Sequence, residues 1–420
     1  MKIVFVSKEC PPSPRSSGIG TYVWETGRAL ADRGHEVAIL AASDNGQSSS
    51  STPLPRLTVI RLPDDEADLK KRNVAVRLLR APTEQGAKYR RRIAECITSL
   101  ADNNRADIVE FPGFRGESFV WLTGLARLPM VVRMHGFTAG IDASLREHAS
   151  ATGRCQLRWE RREVLAADMI TVVSENQASS VRTRFPSDHI RIVHNSIDTN
   201  LWRKLSEDAP NAVDADDIVF VGSLQAKKGV FVLLRAAKRL RKAGWRGRLV
   251  LAGRAIPEFE RLICLRSAIG LKLPDWVVRL GICPRERLAG LYRDAGVCCL
   301  PSLVDPFPYS CLEAMTCGGI VVGSASTGMA EMITETSGFL VPPGDDSKLA
   351  DSLASALSLS AQERAQMKEA AQQRICECFD HRIIIPKLIS VYGETIDSFN
   401  TRRAPGLSAE TNSGVLTYAG

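Results

Sequence analysis

Short apolar runs alternate with amphipathic segments along the first half of the chain. Runs such as Ile3–Val6 and Val37–Leu40 contain no polar position. Such runs are typical of strands in parallel sheets that are buried on both faces, because both rows of side chains then meet apolar neighbours. The other predicted strands of this half are Val59–Leu62, Ile108–Phe111, Val131–His135, Ile170–Val173 and Ile190–His194. Helices are expected between the strands, and the first is predicted at Thr21–Arg33, with Gly34 as its stop signal.

A second series of apolar runs follows in the other half. Its predicted strands are Ile218–Gly222, Leu249–Gly253, Val277–Gly281, Val297–Leu300 and Ile320–Val322. Between the two series lies Leu205–Asp216, which is acidic and poor in apolar residues and therefore predicts a linker. The pattern predicts an α/β protein with two doubly wound parallel-sheet (Rossmann-like) domains facing across a cleft. Ligands of such sheets bind at the carboxyl ends of the strands.

Length and composition agree with two folded domains. A chain of 420 residues exceeds one ordinary core, at roughly 100–200 residues per domain, and 44% hydrophobic residues exclude a disordered chain. We predict an N-terminal domain at 1–202, a linker at 203–216 and a C-terminal domain at 217–380. Residues 401–420 are rich in Gly, Ser, Thr and Pro, which predicts a disordered tail.

Cysteine usage and the apolar runs predict the compartment. The 11 cysteines form no Cys-x-x-Cys pair, which favours reduced thiols in the cytoplasm. The first run, Ile3–Val6, is too short for a signal peptide, and no apolar run approaches the ~20 residues of a membrane span.

The net charge of +8 is concentrated in one region. Residues 51–100 carry 11 basic and six acidic side chains. A run of like charges is usually the solvent-exposed face of a helix. The alternative is a functional role, in which these residues contact anionic lipid head groups or a lipid-linked diphosphate at the inner face of the membrane. No nucleic-acid partner is expected. Nine of the basic side chains form the basic stretch Lys70, Lys71, Arg72, Arg77, Arg80, Lys88, Arg90, Arg91 and Arg92.

The most specific pattern is Pro301–Gly319, where a predicted strand ends at Leu300 and a loop leads into a helix. Asp305 lies in the loop and Glu313 on the helix. Carboxylates accept hydrogen bonds from sugar or ribose hydroxyls, and the free N–H groups at a helix start bind phosphate. In isolation, two such carboxylates are more often a turn residue and a cap. Together with the loop and helix start, they predict a nucleotide-sugar site.

Several segments resemble, in order along the chain, the motifs of one family. The acidic pair of Pro301–Gly319 is similar to the E-x7-E signature of the group 1 glycosyltransferases, family 4 of the retaining enzymes, which have the two-domain GT-B fold. The other segments are Ser17–Tyr22 (glycine-rich loop), Arg28–Val37, Val132–Gly136 (HG loop), His194–Asp198, Gly222–Gly229 and Gly338–Asp345. The resemblance spans residues 1–395.

The resemblance implies donor-binding roles in the C-terminal domain. Glu313 would contact the ribose, and Lys228 would neutralise the diphosphate. Backbone amides around Phe307, Tyr309 and Ser310 would hold the phosphate and the sugar.

It also implies the catalytic groups and the partners. Asp305 would contact hydroxyls of the donor sugar, and His135 would lie beside the reacting carbon. The loop with Gly18 and Gly20 would lie near the phosphates and the acceptor. Transfer would retain the anomeric configuration without a metal or cofactor, because fixed charges and the positioning of the reacting groups would supply most of the rate acceleration. The N-terminal domain would bind a carbohydrate, lipid-linked or small-molecule acceptor, and a last helix at 381–400 would cross back to it.

The sequence departs from the family pattern at three site positions. Asp305 replaces the usual Glu, Ser223 replaces a phosphate-binding Arg, and Pro308 removes one amide donor. Arg254, after the predicted strand Leu249–Gly253, is a candidate replacement for the missing positive charge.

Two further sets of residues are weaker candidates. Gly18-Ile19-Gly20 lacks the third glycine of a dinucleotide-binding loop. This segment either contacts a ligand or is an ordinary glycine-rich turn before a helix. On the acceptor side, the candidates follow a first-domain strand and are Glu110, Phe111, Arg115 and Glu117.

Three other functions remain open from the sequence. A nucleotide-sugar epimerase or hydrolase would share the fold and the donor. A catalytically silent GT-B binding protein would fit the departures at the site. A polyanion- or membrane-surface binder would fit the charge.

Overall fold

Two parallel sheets form the molecule. This computed structural model describes residues 1–13, 17–64, 87–113, 116–118, 128–136, 151–185, 187–268, 273–325 and 328–403. Within these residues the first sheet has eight strands and the second has six, which confirms the predicted fold class.

The first sheet has the strand order β3-β4-β2-β1-β5-β6-β7-β8. All neighbours are parallel except β3, which runs antiparallel to β4 at the edge. Its strands are β1 Lys2–Val6, β2 Glu36–Ala42, β3 Ser49–Leu54, β4 Leu57–Leu62, β5 Ile108–Pro112, β6 Met130–Met134, β7 Met169–Val172 and β8 Ile190–Ile192.

The second sheet has the order β11-β10-β9-β12-β13-β14, and all its strands are parallel. The chain builds outward in one direction from β9 and in the other from β12, so the order reverses between these two strands. In open α/β sheets such a reversal leaves a crevice at the carboxyl ends of the two strands. The strands are β9 Ile218–Val221, β10 Leu249–Ala252, β11 Val277–Gly281, β12 Val297–Leu300, β13 Val321–Ser324 and β14 Gly338–Val341.

Helices cover both faces of each sheet. The described α-helices are α1 Gly18–Ala31, α2 Ala87–Asp102, α3 Ala151–Ala166, α4 Glu175–Arg184, α5 Thr199–Asp208, α6 Val230–Lys242, α7 Pro257–Ala268, α8 Arg285–Asp294, α9 Tyr309–Thr316, α10 Met329–Met332, α11 Asp346–Leu357, α12 Ala361–Cys378 and α13 His381–Arg403. Each sheet therefore has an apolar cluster on either face. Apolar strands buried on both sides are what the sequence predicted.

The structure differs from the sequence-based expectations in four elements. Strand β14 at Gly338–Val341 was not among the strands predicted for the second half. The strand Ser49–Leu54 was not predicted, because its serines and threonine are polar and it lies at an exposed edge. Helix α1 begins at Gly18 instead of Thr21, so both glycines of the predicted loop lie in its first turn. Helix α5 extends through residue 208, so it occupies the first part of the predicted linker at 203–216.

Two chain segments pass side by side between the halves. Ile197 and Asp380 pair as an isolated parallel bridge, one on the way into the second half and the other on the way back. Helix α13 then packs on the first sheet, with Ile384, Leu388 and Tyr392 in the same apolar cluster as the strand β1. Of the tail predicted at 401–420, residues 401–403 belong to helix α13, and residues 404–420 lie outside the described residues. None of the described helices is long and apolar enough to cross a membrane.

Candidate active site

The loops after β9 and β12 meet at the point where the strand order of the second sheet reverses. Lys228, which follows β9, forms an ion pair with Asp305, which follows β12. Asp305 is buried and Lys228 is half-buried. Two residues that lie 77 positions apart in the chain are therefore neighbours at the predicted ligand crevice.

A glycine allows this contact. Gly229, directly after Lys228, has a φ of +73°, and a Cβ atom built there would lie 1.8 Å from the carbonyl oxygen of Pro301. The backbone amide of Leu303 also donates to the carbonyl of Lys227 at 2.8 Å. The two loops are thus held against each other by their backbones, and only glycine fits at position 229.

Glu313 lies on helix α9, which begins directly after the Asp305 loop. Its Oε2 accepts a hydrogen bond of 2.8 Å from the hydroxyl of Tyr292. Burial raises the pKa of Glu313 to about 7, although the bond from Tyr292 and the charge of Arg285 act in the opposite direction. A carboxylate that titrates near neutral pH in a cleft is a feature of functional sites.

An ion pair joins the two halves beside this carboxylate. Arg285, at the start of α8, pairs with Glu25 of α1. The Glu25 side chain is only 7% exposed, and Arg28 lies 3.5 Å from its second oxygen. Arg285 therefore holds its charge between Glu25 of the first half and Glu313 of the second.

The other predicted donor-binding residues surround the same crevice. Ser223 accepts a hydrogen bond from Gln225, and Arg254 is exposed after β10. Tyr309 and Ser310 form the first turn of α9, as predicted from the loop-to-helix pattern. Tyr309 packs against apolar clusters of both halves.

Phe307 has a structural position at the junction of the halves. Its ring is buried and packs on His194 and Phe379, with ring centroids 5.1 and 5.4 Å away. Its carbonyl accepts a hydrogen bond of 2.9 Å from Nδ2 of Asn195. The backbone of the Asp305 loop is therefore fixed by a residue of the segment that leaves the first sheet.

His135 follows β6 in the first half. Its ring packs on Tyr22 of α1, with ring centroids 4.7 Å apart. Burial lowers the pKa of His135 well below its usual value, and the nearby positive charge of Arg133 lowers it further. The imidazole is therefore neutral at physiological pH, which suits a hydrogen-bonding role. Gly18 and Gly20 lie at the start of the helix that carries Tyr22.

Three of the four predicted acceptor-side residues belong to the described part of the chain, and all three are buried. Glu110 is 2% exposed, and its carboxylate accepts a bond of 2.7 Å from Tyr392 of α13. Phe111 and Glu117 are buried as well. The sequence did not reveal this burial, because the hydrogen-bond partner of Glu110 lies 282 residues away in the chain. Arg115 lies outside the described residues.

Part of the basic stretch has an internal role. Arg90 is buried, donates to the carbonyl of Gly116 at 3.1 Å and stacks over the Trp159 ring. Arg92 donates to the carbonyl of Pro63 at 2.7 Å. Residues 70–80 lie outside the described residues. Among the residues that are described, no group of three or more His, Cys, Asp or Glu side chains could hold a metal ion.

Sequence reasoning missed the residues that connect the halves. Glu25 and Arg285 carried no motif, and Arg133 lies in the segment Val132–Gly136 without a predicted role of its own. No contact was predicted for His194, whose Nε2 bonds Oε2 of Glu331 across the halves at 2.9 Å. These contacts depend on how the two sheets face each other, which a linear pattern does not contain.

Comparison with known proteins agrees with the architecture. The model of the family Glycosyltransferase Family 4 matches residues 16–201, and the model of the family Glycosyl transferases group 1 matches residues 203–374. The D-inositol 3-phosphate glycosyltransferase of Kribbella flavida is 29% identical over 391 residues, which cover 86% of this chain and 87% of that protein.

Two solved structures share the fold. Sucrose-phosphate synthase from Thermosynechococcus elongatus has a TM-score of 0.75 at 20% identity, covering 94% of this chain and 99% of that one. Anabaena HepE in complex with UDP-glucose has a TM-score of 0.65 at 16% identity, covering 96% and 100%.

Two facing parallel-sheet domains with a crevice at the strand reversal define the GT-B class of glycosyltransferase. The chain belongs to the group 1 glycosyltransferases of family 4, as its ordered motifs predicted.

Proposed function

We propose that the protein moves a hexose from a UDP- or GDP-sugar to a hydroxyl of an acceptor, with retention of the anomeric configuration and without a metal. The observation that carries this proposal is the meeting of Lys228 and Asp305 at the strand reversal of the second sheet, with Glu313 on the adjoining helix. A cation, a short acidic loop and a helix start are together suited to a diphosphate joined to a sugar.

The donor would be bound by the second half. The ammonium group of Lys228 would exchange its partner Asp305 for the diphosphate, which frees the Asp305 carboxylate to accept hydrogen bonds from sugar hydroxyls. Glu313 would accept from the ribose. Exposed Arg254 would supply the positive charge that Ser223 does not.

The transfer step needs no protein nucleophile. The bond from the anomeric carbon to the phosphate oxygen breaks as the bond to the acceptor oxygen forms on the same face. The acceptor proton passes to the leaving phosphate oxygen. His135, held neutral by burial, would hydrogen-bond the sugar at the reacting face, and its contribution is positioning.

The acceptor is proposed to be a polyol that binds in the first half. A relative with 29% identity is named D-inositol 3-phosphate glycosyltransferase, so phosphorylated polyols are the first acceptors to test. Free thiols at ten of the 11 cysteines support the proposed cytoplasmic location. Contact with the inner membrane face remains a prediction that depends on the basic residues at 70–80.

A thermal-shift screen against UDP, GDP, ADP and their common sugar conjugates tests the donor site. A ligand that binds only the folded state raises its melting temperature as its concentration exceeds the Kd. We expect a shift with one nucleotide family, and EDTA should not abolish it. A folded sample without any shift at millimolar ligand would contradict the proposal and favour a silent binding protein. Nucleotide release without an acceptor, together with inversion of the sugar, would indicate the epimerase.

Replacing His135 by Ala separates catalysis from binding. We expect kcat for transfer to fall at least tenfold while the Kd for the nucleotide changes less than twofold, because the nucleotide contacts lie in the other half. Equal losses in both quantities would argue against this role.

A further inference from the structure

Arg133 is a fully buried arginine in the centre of the molecule. It lies on β6, two residues before His135, and its side chain has 0% exposure. One terminal nitrogen donates to the carbonyl of Val193 at 2.9 Å and to Oδ1 of Asn195 at 3.1 Å. The guanidinium group also lies over the ring of Tyr22, 4.1 Å from its centroid. The proposed reaction uses none of these contacts.

Asn195 extends this contact to the donor side. Its Oδ1 accepts from Arg133, and its Nδ2 donates to the carbonyl of Phe307 at 2.9 Å. Because both ends of the amide are engaged, its orientation is fixed. Phe307 lies two residues after Asp305 and two before α9. Two hydrogen bonds therefore join the strand that carries His135 to the loop that carries Asp305.

Tyr22 completes the connection on the acceptor side. Its ring packs on the guanidinium group of Arg133 and on the imidazole of His135. A planar guanidinium can stack on an aromatic face and donate in its own plane at the same time, which a lysine ammonium cannot do. The Glu110 carboxylate interacts electrostatically with Arg133 and offsets its buried charge.

We propose that Arg133 and Asn195 are positioning residues that set the geometry between His135 and the donor-side loop 305–310. The inference rests on the proposed transferase function. It assigns Arg133 no contact with substrate. Its role is to hold two half-sites, which come from different domains, at the separation that the reaction needs.

The test uses Arg133→Lys and Asn195→Asp in the full chain. Lysine keeps the positive charge but loses the planar guanidinium that stacks on Tyr22. Aspartate can accept a hydrogen bond from Arg133 but cannot donate one to the carbonyl of Phe307. The matched control is Arg90→Lys, a second buried arginine that stacks on an aromatic ring and donates to a backbone carbonyl in the first half. Three quantities are measured: the Kd for UDP, kcat for UDP release from UDP-glucose, and hydrogen exchange of the amides at 305–310.

We expect a Kd for UDP within about twofold of wild type and a fall in kcat of roughly 10- to 100-fold in both variants, since small misplacements of reacting groups have effects of this size. Exchange at 305–310 should accelerate in both variants and stay unchanged in the control. The double variant should be no slower than the slower single variant, because both substitutions break one connection.

Each other outcome has a distinct meaning. Wild-type kcat and wild-type exchange in both variants would overturn the inference. A loss of UDP binding in parallel with kcat would also overturn it, because it would show a general structural role. Wild-type protein that neither binds UDP nor turns over UDP-glucose would contradict a UDP-sugar donor, and the exchange measurement would still decide whether Arg133 and Asn195 hold the loop.

Discussion

Lys228 and Glu313 show how side chains of ordinary type acquire special properties from their surroundings. Lys228 forms an ion pair with the carboxylate of Asp305, whereas Lys227 beside it is exposed. Glu313 is placed between a tyrosine hydroxyl and an arginine in a region where burial opposes its charge. The sequence motif contains both residues, but only their environment distinguishes them from surface charges.

Lys228→Met should weaken UDP binding by about 10- to 100-fold, because a charge-assisted contact to phosphate contributes about 1.5–3 kcal/mol. Lys227→Met is the matched control, since it removes a neighbouring charge from an exposed position. Calorimetric titration with UDP measures both. An equal loss in the two variants would indicate a general electrostatic effect and no specific contact by Lys228.

Glu313 should make nucleotide binding depend on pH. Its pKa of about 7 means that the carboxylate gains its charge between pH 6 and 8, and a charged carboxylate is the stronger acceptor for ribose hydroxyls. We expect the Kd for UDP to decrease as the pH rises through this range and the dependence to vanish in Glu313→Gln. Titrations at pH 6, 7 and 8 measure it.

The same residue gives a prediction for stability with the opposite sign. The folded pKa of Glu313 is raised above its usual value of 4.5, so the unfolded chain releases this proton first as the pH rises. The contribution of Glu313 to stability is therefore present below pH 4.5 and is lost as the pH rises towards 7. The melting temperature of Glu313→Gln relative to wild type should increase over that interval, and a constant difference would contradict the raised pKa.

At the scale of elements, the loops after β9 and β12 depend on a close backbone approach. Gly229→Ala would place a Cβ atom 1.8 Å from the Pro301 oxygen at a φ of +73°. Gly244→Ala is the matched control, because Gly244 also has a positive φ, of +106°, and meets nothing within 4 Å.

We expect Gly244→Ala to cost about 1 kcal/mol of stability, the conformational part alone. Gly229→Ala should cost roughly 2–4 kcal/mol or displace the loop, and it should weaken UDP binding as well. Urea unfolding and UDP titration measure the two effects. If the two alanine variants behave alike, the close approach of the loops does not matter for the site.

At the scale of the whole molecule, several polar contacts across the cleft add to the apolar packing between the two halves. They include the pair of Glu25 with Arg285 and the bond of His194 with Glu331. Such interfaces between domains of one chain generally permit relative motion. A ligand that binds both halves would therefore replace some of these contacts or add to them.

Glu25→Gln and Arg285→Gln should each open the cleft, because each removes the partly buried ion pair that joins the two halves. The expected result is a larger radius of gyration by small-angle X-ray scattering. Glu260→Gln is the control, since its pair with Arg279 lies within the second half and is exposed. An unchanged radius in all three variants would mean that the remaining contacts suffice to keep the halves closed.

The sequence by itself determined the elements that have a local cause. Apolar runs such as Ile3–Val6 and Val297–Leu300 can only be strands covered on both faces, and the step from strand to loop to helix at Pro301–Gly319 predicted where a ligand would bind. The edge strand Ser49–Leu54 was not predicted, because its polar residues adopt the strand conformation through pairing with β4.

Tertiary structure alone decided which side chains share the site. The family resemblance assigned Lys228 and Asp305 to one donor site but did not predict their ion pair. The connection from Arg133 through Asn195 to Phe307 had no sequence signal. Glu110 was a candidate site residue, yet it lies within β5 and its carboxylate is buried against a tyrosine from the last helix. The physical reason is that periodicity reports what lies along one element, whereas a site is made by the faces that separate elements turn towards each other.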